Sequence, residues 1–197
     1  VKQNESGKTL QITCNQAAST VTYEYALTVD PTAVTFDGAG GEKLVTVTST
    51  RTKVLNGVKQ QPETYPTDIE LAGVGFDYEE SGNNYNLKAS ENTGSSQRTG
   101  KATISQDGGK TAEVTLTQNA AIVTYDYALS ANSQTIQFVA LGETKSLQIV
   151  STRQKKVNGK PSGGVEKVDT TAQITGTGFS QTSSETSNGE NYSIVAA

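Results

Sequence analysis

Three carboxylates, Asp77, Glu79 and Glu80, crowd one short stretch, and a single cysteine, Cys14, stands near the start of the chain. Paired carboxylates can hydrolyse glycosides, one as acid and the other as base or nucleophile. A thiolate can attack a carbonyl when a base lies beside it. The rest of the sequence supports neither. Without any histidine, Ser-His-Asp and Cys-His arrangements and imidazole-based metal sites are excluded. A related stretch later in the chain carries Ser180, Thr182 and Ser183 where the acidic run would be, so that run reads as a solvated loop. Together with Asn83 and Asn84 it offers oxygens to Ca²⁺, which takes about 6–8 of them, but the spacing makes no calcium motif. The expectation is a chain with no catalytic residue, no metal site and no cofactor.

Recognition is the other chemistry to consider. Sugar rings stack on exposed aromatic faces with polar groups at the rim. Of the eight tyrosines and four phenylalanines, ten pair off between two halves of the sequence: Tyr23 with Tyr125, Tyr25 with Tyr127, Phe36 with Phe138, Phe76 with Phe179, and Tyr85 with Tyr192. Aromatics repeated in that way build a core or a junction. Tyr65 and Tyr78 have no counterpart, and Tyr65, beside Pro62 and Pro66, is the better candidate for an exposed contact. Positive charge also gathers on equivalent hairpins: Arg51, Lys53 and Lys59 are answered by Arg153, Lys155, Lys156 and Lys160. Residues 153–168 hold five Lys/Arg against one Glu. Such a patch on an acidic protein could hold anionic glycans. Lysines on projecting strands equally serve to discourage edge-to-edge aggregation. The candidate glycan-binding set is therefore Tyr65, Tyr78, Lys155, Lys156 and Lys160.

The elements that position these residues follow from a repeat. Val21-Thr22-Tyr23-Glu24-Tyr25-Ala26-Leu27-Thr28 returns 102 residues later as Val123-Thr124-Tyr125-Asp126-Tyr127-Ala128-Leu129-Ser130. The register holds through Ser49-Thr50-Arg51 and Ser151-Thr152-Arg153 to Asn56-Gly57 and Asn158-Gly159. That period suits a whole domain rather than a solenoid unit. Within each copy the pattern alternates. Val34 and Phe36, Val45 and Val47, and Ala112, Val114 and Leu116 are each separated by one residue; the first pair is answered by Ile136 and Phe138 and the second by Leu147 and Ile149. Period-two alternation puts one face of a strand in the core and the other in water. Asn-Gly at 56–57 and 158–159 predicts type I′ hairpin tips, and Asp107-Gly108-Gly109-Lys110 predicts a further hairpin. Short strands with polar turns and no helical stripe predict an all-β fold of tandem immunoglobulin-like β-sandwich domains.

The predicted boundaries are 1–18 as the last β-hairpin of a preceding repeat, 19–119 as a complete domain, and 120–197 as a second domain without its final hairpin. Residues 5–17 match 107–119 at the same offset. Leu10, Ile12 and Cys14 then align with Ala112, Val114 and Leu116, which predicts an inert, core-facing Cys14. A sandwich without its last strands leaves edges and half a core open. The expectation is that residues 5–17 supply those strands to a second-copy domain, in the same chain or a neighbour, by strand addition. The chain thus reads as a window on a longer array.

With 33% apolar and 18% charged residues, a net charge of -4 and a pI near 4.9, the composition fits thin sandwiches and speaks against nucleic-acid binding. No stretch reaches the roughly 18–20 apolar residues of a membrane span. No signal peptide is visible.

Two stretches resemble BACON domains (Bacteroidetes-associated carbohydrate-binding, often N-terminal). One is Leu27-Thr28-Val29-Asp30-Pro31-Thr32-Ala33-Val34-Thr35-Phe36 with Gly40-Gly41-Glu42-Lys43-Leu44-Val45-Thr46-Val47-Thr48-Ser49. The other is Asn92-Thr93-Gly94 and Arg98-Thr99-Gly100-Lys101-Ala102-Thr103-Ile104 with Gly109-Lys110-Thr111-Ala112-Glu113-Val114-Thr115-Leu116-Thr117-Gln118. The resemblance covers 27–118 and the first half of the second copy. It implies an immunoglobulin-like sandwich on secreted or surface proteins of gut Bacteroidetes, or in virion proteins of their phages, including the crAss-like group. Mucin or other glycans would be the ligands and neighbouring repeats the partners. The chain departs from the pattern in lacking tryptophan in its middle strands and in its longer, more basic hairpin near 51–65. The function this implies is that of a non-enzymatic extracellular spacer and adhesion array, the alternative being a carbohydrate-binding module with a defined sugar site.

Overall fold

The computed structural model describes residues 1–197. The chain is all-β and carries the immunoglobulin-like sandwich fold that the alternation predicts. Its strands are β1 (Val21–Asp30), β2 (Ala33–Phe36), β3 (Gly41–Leu55), β4 (Val58–Lys59), β5 (Glu63–Thr64), β6 (Asp68–Ala72), β7 (Phe76–Ser81), β8 (Asn84–Ala89), β9 (Arg98–Ser105) and β10 (Thr111–Gln118) in the first repeat. The second repeat has β11 (Val123–Ala131), β12 (Glu143–Val157), β13 (Lys160–Lys167), β14 (Phe179–Thr186) and β15 (Gly189–Ala196).

The first repeat forms two sheets. One runs β1-β3-β8-β7 with β4 and β5 added to β3; the other runs β2-β10-β9-β6. The second repeat forms one sheet, β11-β12-β15-β14, with β13 on β12. Its order repeats that of the first sheet. Even the pairing register is shared: Tyr25 sits opposite Arg51, and Tyr127 opposite Arg153. Both Asn-Gly tips have the two successive positive φ angles of a type I′ turn, at Asn56-Gly57 and Asn158-Gly159.

The backbone groups into two compact units, the first comprising Val1–Val34, Glu42–Lys88 and Gly100–Leu116. It contains a dry core of Val34, Val45, Val47, Tyr85, Leu87, Ala102, Ile104, Val114 and Leu116, all buried. Each comes from the inward phase of an alternating strand, as β8 and β10 display. Truncating a fully buried leucine in such a core costs about 2–5 kcal/mol. Gln106 is buried among them. Its Nε2 donates to the Ala26 carbonyl at 2.9 Å and to Ser49 Oγ at 3.2 Å, tying the end of β9 to β1 and β3.

The second unit comprises Thr35–Gly41, Ala89–Thr99 and Thr117–Ala197. Here the alternation of Ile136 and Phe138 does not produce a strand. Their counterpart β2 is held by the ladder to β10, and the second repeat has no strand in that place. A lone extended segment has no ladder to join. Residues 171–175, which follow the β6 pattern, are likewise outside any strand. The inner face of the β11–β15 sheet therefore stays open. Leu129 is 72% and Leu141 98% exposed, and Phe179 is exposed as well, while Ser151 and Tyr192 are buried.

The leading segment makes one tight turn closed by a Lys2–Thr9 bridge; residues 10–20 carry no strand. Cys14 is exposed, contrary to the core-facing expectation. It does share a phase with Leu10 and Ile12, but all three lie outside the sheets and are exposed.

Candidate functional site

Tyr65 lies just beyond β5, where its N–H donates to the Ser49 carbonyl. Its ring meets the Tyr25 ring edge-on at 5.4 Å. The Arg51 guanidinium lies 4.7 Å from the centre of Tyr65 and 4.9 Å from that of Tyr23, a cation held over two aromatic rings. Arg51 also forks onto Glu63, with Nη2–Oε1 at 2.6 Å and Nε–Oε1 at 2.8 Å. That bond raises the Arg51 pKa further above its ordinary value. The Tyr65 hydroxyl donates to Asp107 at 3.3 Å; burial first, and the Asp107 charge next, push its pKa up. Tyr65 is thus a wedge between β1, the β3 hairpin and the 107–110 turn. Gly108 completes the wedge: a Cβ there would sit 2.2 Å from the Tyr25 ring.

The second repeat keeps half of this cluster. Arg153 lies over Tyr125 at 5.0 Å and pairs with Glu166 at 2.8 Å. Val168, whose N–H donates to the Ser151 carbonyl, stands in the place of Tyr65. With that aromatic missing, Tyr127 turns outward and is 66% exposed.

Tyr78, on β7, is more open. It is 37% exposed and packs edge-on against Tyr85 at 5.9 Å. The acidic stretch around it is engaged: Glu79 accepts from Lys88 at 2.6 Å, which holds its carboxyl below the usual range, and Asp77 accepts from the Tyr78 N–H. Lys88 also reaches Glu42. Glu79 is thus spent on a cross-strand ion pair and Asp77 on the neighbouring backbone N–H.

The basic hairpin is largely neutralised by carboxylates from other segments of the chain. Lys156 pairs with Asp126 at 2.5 Å, Lys160 with Glu91 at 3.0 Å, and Lys167 with Glu185 at 3.3 Å. Lys155 alone among the three candidate lysines forms no ion pair, and it is half-buried. Tyr65 and Tyr78 belong to the first compact unit and the three lysines to the second.

A site that the residue patterns did not single out is the grip on the linker, entirely within the second unit. Asn158 was legible only as a turn residue. Its side-chain oxygen accepts from the Ile122 N–H at 3.0 Å, while its own N–H donates to the Ile122 carbonyl at 2.8 Å. Its Nδ2 donates to Glu91 and to the Asn92 carbonyl, both at 3.1 Å. Buried Asn92 in turn donates to the Asn119 carbonyl at 2.9 Å, and the Ala121 N–H donates to the Gly94 carbonyl. Gly38 has no room for a side chain, since a Cβ would lie 2.6 Å from the Ala120 carbonyl. Gln118, fully buried, donates to the carbonyls of Asp37, Gly38 and Ser90. The bonds from Asn158 and Lys160 hold the Glu91 carboxyl below its ordinary pKa. Asn56 grips Thr20 in the same manner: the Thr20 N–H donates to its side-chain oxygen and its own N–H to the Thr20 carbonyl, each at 2.9 Å. The clue in the sequence was asparagine, rather than aspartate or glycine, at both tips.

No family model and no curated protein matches the chain. Among solved structures it is similar to a chimeric titin Z1Z2 functionalized with a KLER exogenous peptide from decorin, at 13% identity and a TM-score of 0.28, over 92% of this chain and 84% of that one. So loose a superposition transfers no site, ligand or partner; what the strands themselves establish is an immunoglobulin-like β-sandwich module.

Proposed function

We propose that this chain is a non-enzymatic spacer and adhesion array built from BACON-type repeats, carried outside the cell on a phage virion or a Bacteroidetes surface. The observation that carries the reading is the treatment of the linker. Four residues, 119–122, join β10 to β11, and they are bonded along their length by Asn92, Gly94 and Asn158. A flexible tether would leave such backbone groups to water. A spacer gains from binding them, because a pinned linker holds distance. The engaged state of Tyr65, Glu79, Lys156 and Lys160 supports the same reading, since each is committed to partners inside the fold.

The test pairs rigidity with ligand screening. Solution scattering should give a narrow maximum dimension for the wild-type chain and a broader distribution for Asn158→Gly, which keeps the turn but loses the grip. On a mucin and glycan array the chain should be silent. Binding that disappears in Tyr78→Ala or Tyr65→Ala would replace the spacer reading with a sugar-binding module.

A further inference from the structure

We propose that the two long hairpin tips are sites of spontaneous deamidation with unequal fates: Asn56 converts first and its aspartate product keeps hold of Thr20, whereas Asn158 is shielded while it grips the linker and lets go once converted. The chemistry belongs to asparagine followed by glycine. The glycine backbone nitrogen attacks the side-chain amide carbon Cγ and closes a five-membered succinimide. The amide nitrogen leaves as ammonia, taking the proton that the glycine N–H gave up. Water then opens the ring at one of its two carbonyls. The product is aspartate or, with the side-chain carbon drawn into the backbone, isoaspartate. Either one adds a negative charge to the tip and changes its local bonding.

The two tips share the reactive pair, in Leu55-Asn56-Gly57-Val58 and in Val157-Asn158-Gly159-Lys160. Both glycines are open, with no atom within 4 Å of where a Cβ would stand. The difference lies in the asparagine side chains. Ring closure needs Cγ to swing onto the nitrogen of the next residue. Asn56 is exposed; its Oδ1 accepts from the Thr20 N–H at 2.9 Å, and its Nδ2 has no partner. The Ser19 and Thr20 hydroxyls stand farther off, at 3.4 and 3.5 Å. Asn158 is half-buried and held at both ends of its amide. Its Oδ1 accepts from the Ile122 N–H, and its Nδ2 donates to Glu91 and to the Asn92 carbonyl. Gly38 backs the same oxygen, since a Cβ there would lie 2.7 Å from it. Those bonds must all open before Cγ of Asn158 can turn. The remaining such pair, Asn188-Gly189, buries its glycine in β15 and belongs to neither grip.

The aspartate products differ for the same reason. At Asn56, aspartate keeps the acceptor that the Thr20 N–H uses, and its second oxygen faces hydroxyls able to donate. At Asn158 the group lost is the donor. Aspartate there turns an oxygen toward the Glu91 carboxylate and the Asn92 carbonyl, and both of those only accept. Like charges at hydrogen-bond distance repel. The side chain must then leave, and the Ile122 N–H loses its acceptor. Asn158, Ile122, Glu91 and Asn92 all lie in the second compact unit. The inference rests on the grip itself and stands apart from the spacer reading.

The experiment incubates the whole 197-residue chain at mildly alkaline pH, folded and in denaturing urea, and follows each Asn-Gly pair by peptide mass spectrometry. Each folded rate is divided by its urea rate, which removes any effect of neighbouring residues. On that scale Asn56 should convert at least about tenfold faster than Asn158, as the extra bonds require. Glu91→Ala takes one acceptor from Asn158 Nδ2 and nothing from Asn56. It should speed conversion of Asn158 several-fold and leave Asn56 unchanged. Asn188, in the same repeat, should stay slow in that variant, which checks that the sheet persists. Hydrogen exchange then reads the products directly. The Ile122 amide should exchange at least about fivefold faster in Asn158→Asp. The Thr20 amide should stay protected in Asn56→Asp. Equal scaled rates at the two tips, or an Asn158 as slow in Glu91→Ala as in the wild type, would overturn the shielding. An Ile122 amide still protected in Asn158→Asp would overturn the release.

Discussion

The two repeats begin as near copies and end as different objects. Leu27 and Leu129 occupy the same place in the same sheet, opposite Ser49 and Ser151. Leu27 is half-buried beneath a second sheet, while Leu129 stands open. The first sheet needs only β-alternation and hairpin tips, so it forms in both. The second needs β10, and where β10 has no counterpart even strand-forming sequences such as Ile136–Phe138 stay irregular. Local pattern makes a strand available, whereas a ladder partner decides whether it is used.

The sharpest way to break this comparison is to truncate the two kinds of leucine. Leu116→Ala should cost the first repeat about 2–5 kcal/mol, read as a shift in its denaturant midpoint. Leu129→Ala should change stability by less than about 0.5 kcal/mol in dilute solution, where the face is uncovered. Equal losses would mean that Leu129 is covered after all. Next in size is Gln118→Leu. It strips a buried donor from three carbonyls and should cost about 1–3 kcal/mol, with faster amide exchange along β10. The mirrored pair Asn56→Gly and Asn158→Gly comes third, at about 1 kcal/mol or less each. Exchange of the Thr20 amide should accelerate in the first and of the Ile122 amide in the second.

The smallest effect is a pH dependence confined to one repeat junction. Glu91 titrates lower in the folded chain than in the unfolded one because Asn158 and Lys160 bond its carboxylate. Its contribution is therefore complete above the unfolded-state pKa and fades as pH falls through the depressed folded value. The Ile122 and Asn158 amide resonances should move in that acidic window in the wild type and stay fixed in Glu91→Gln. Thr20 and Asn56, which have no carboxylate in the same position, should not move in either.

Much of the fold was legible in the residues. Period-two runs and Asn-Gly tips located β2, β3, β10 and both long hairpins, because a half-buried strand imposes its own signature. The site was less legible. Tyr65 lacks a duplicate and sits between prolines, which looks like exposure. Arg51, Tyr25 and Asp107 enclose it from three separate segments, and no local pattern shows that. Cys14 has the right phase for a core and lacks only the core. The basic hairpin looked like a patch because its counter-ions, Asp126, Glu91 and Glu185, lie far away in the sequence.

Gly108 packs its bare backbone on the Tyr25 ring, where a Cβ would lie 2.2 Å from it. Any larger residue at that tip would lift the turn off β1, and the loss would spread to Tyr65, whose hydroxyl the Asp107 carboxylate holds.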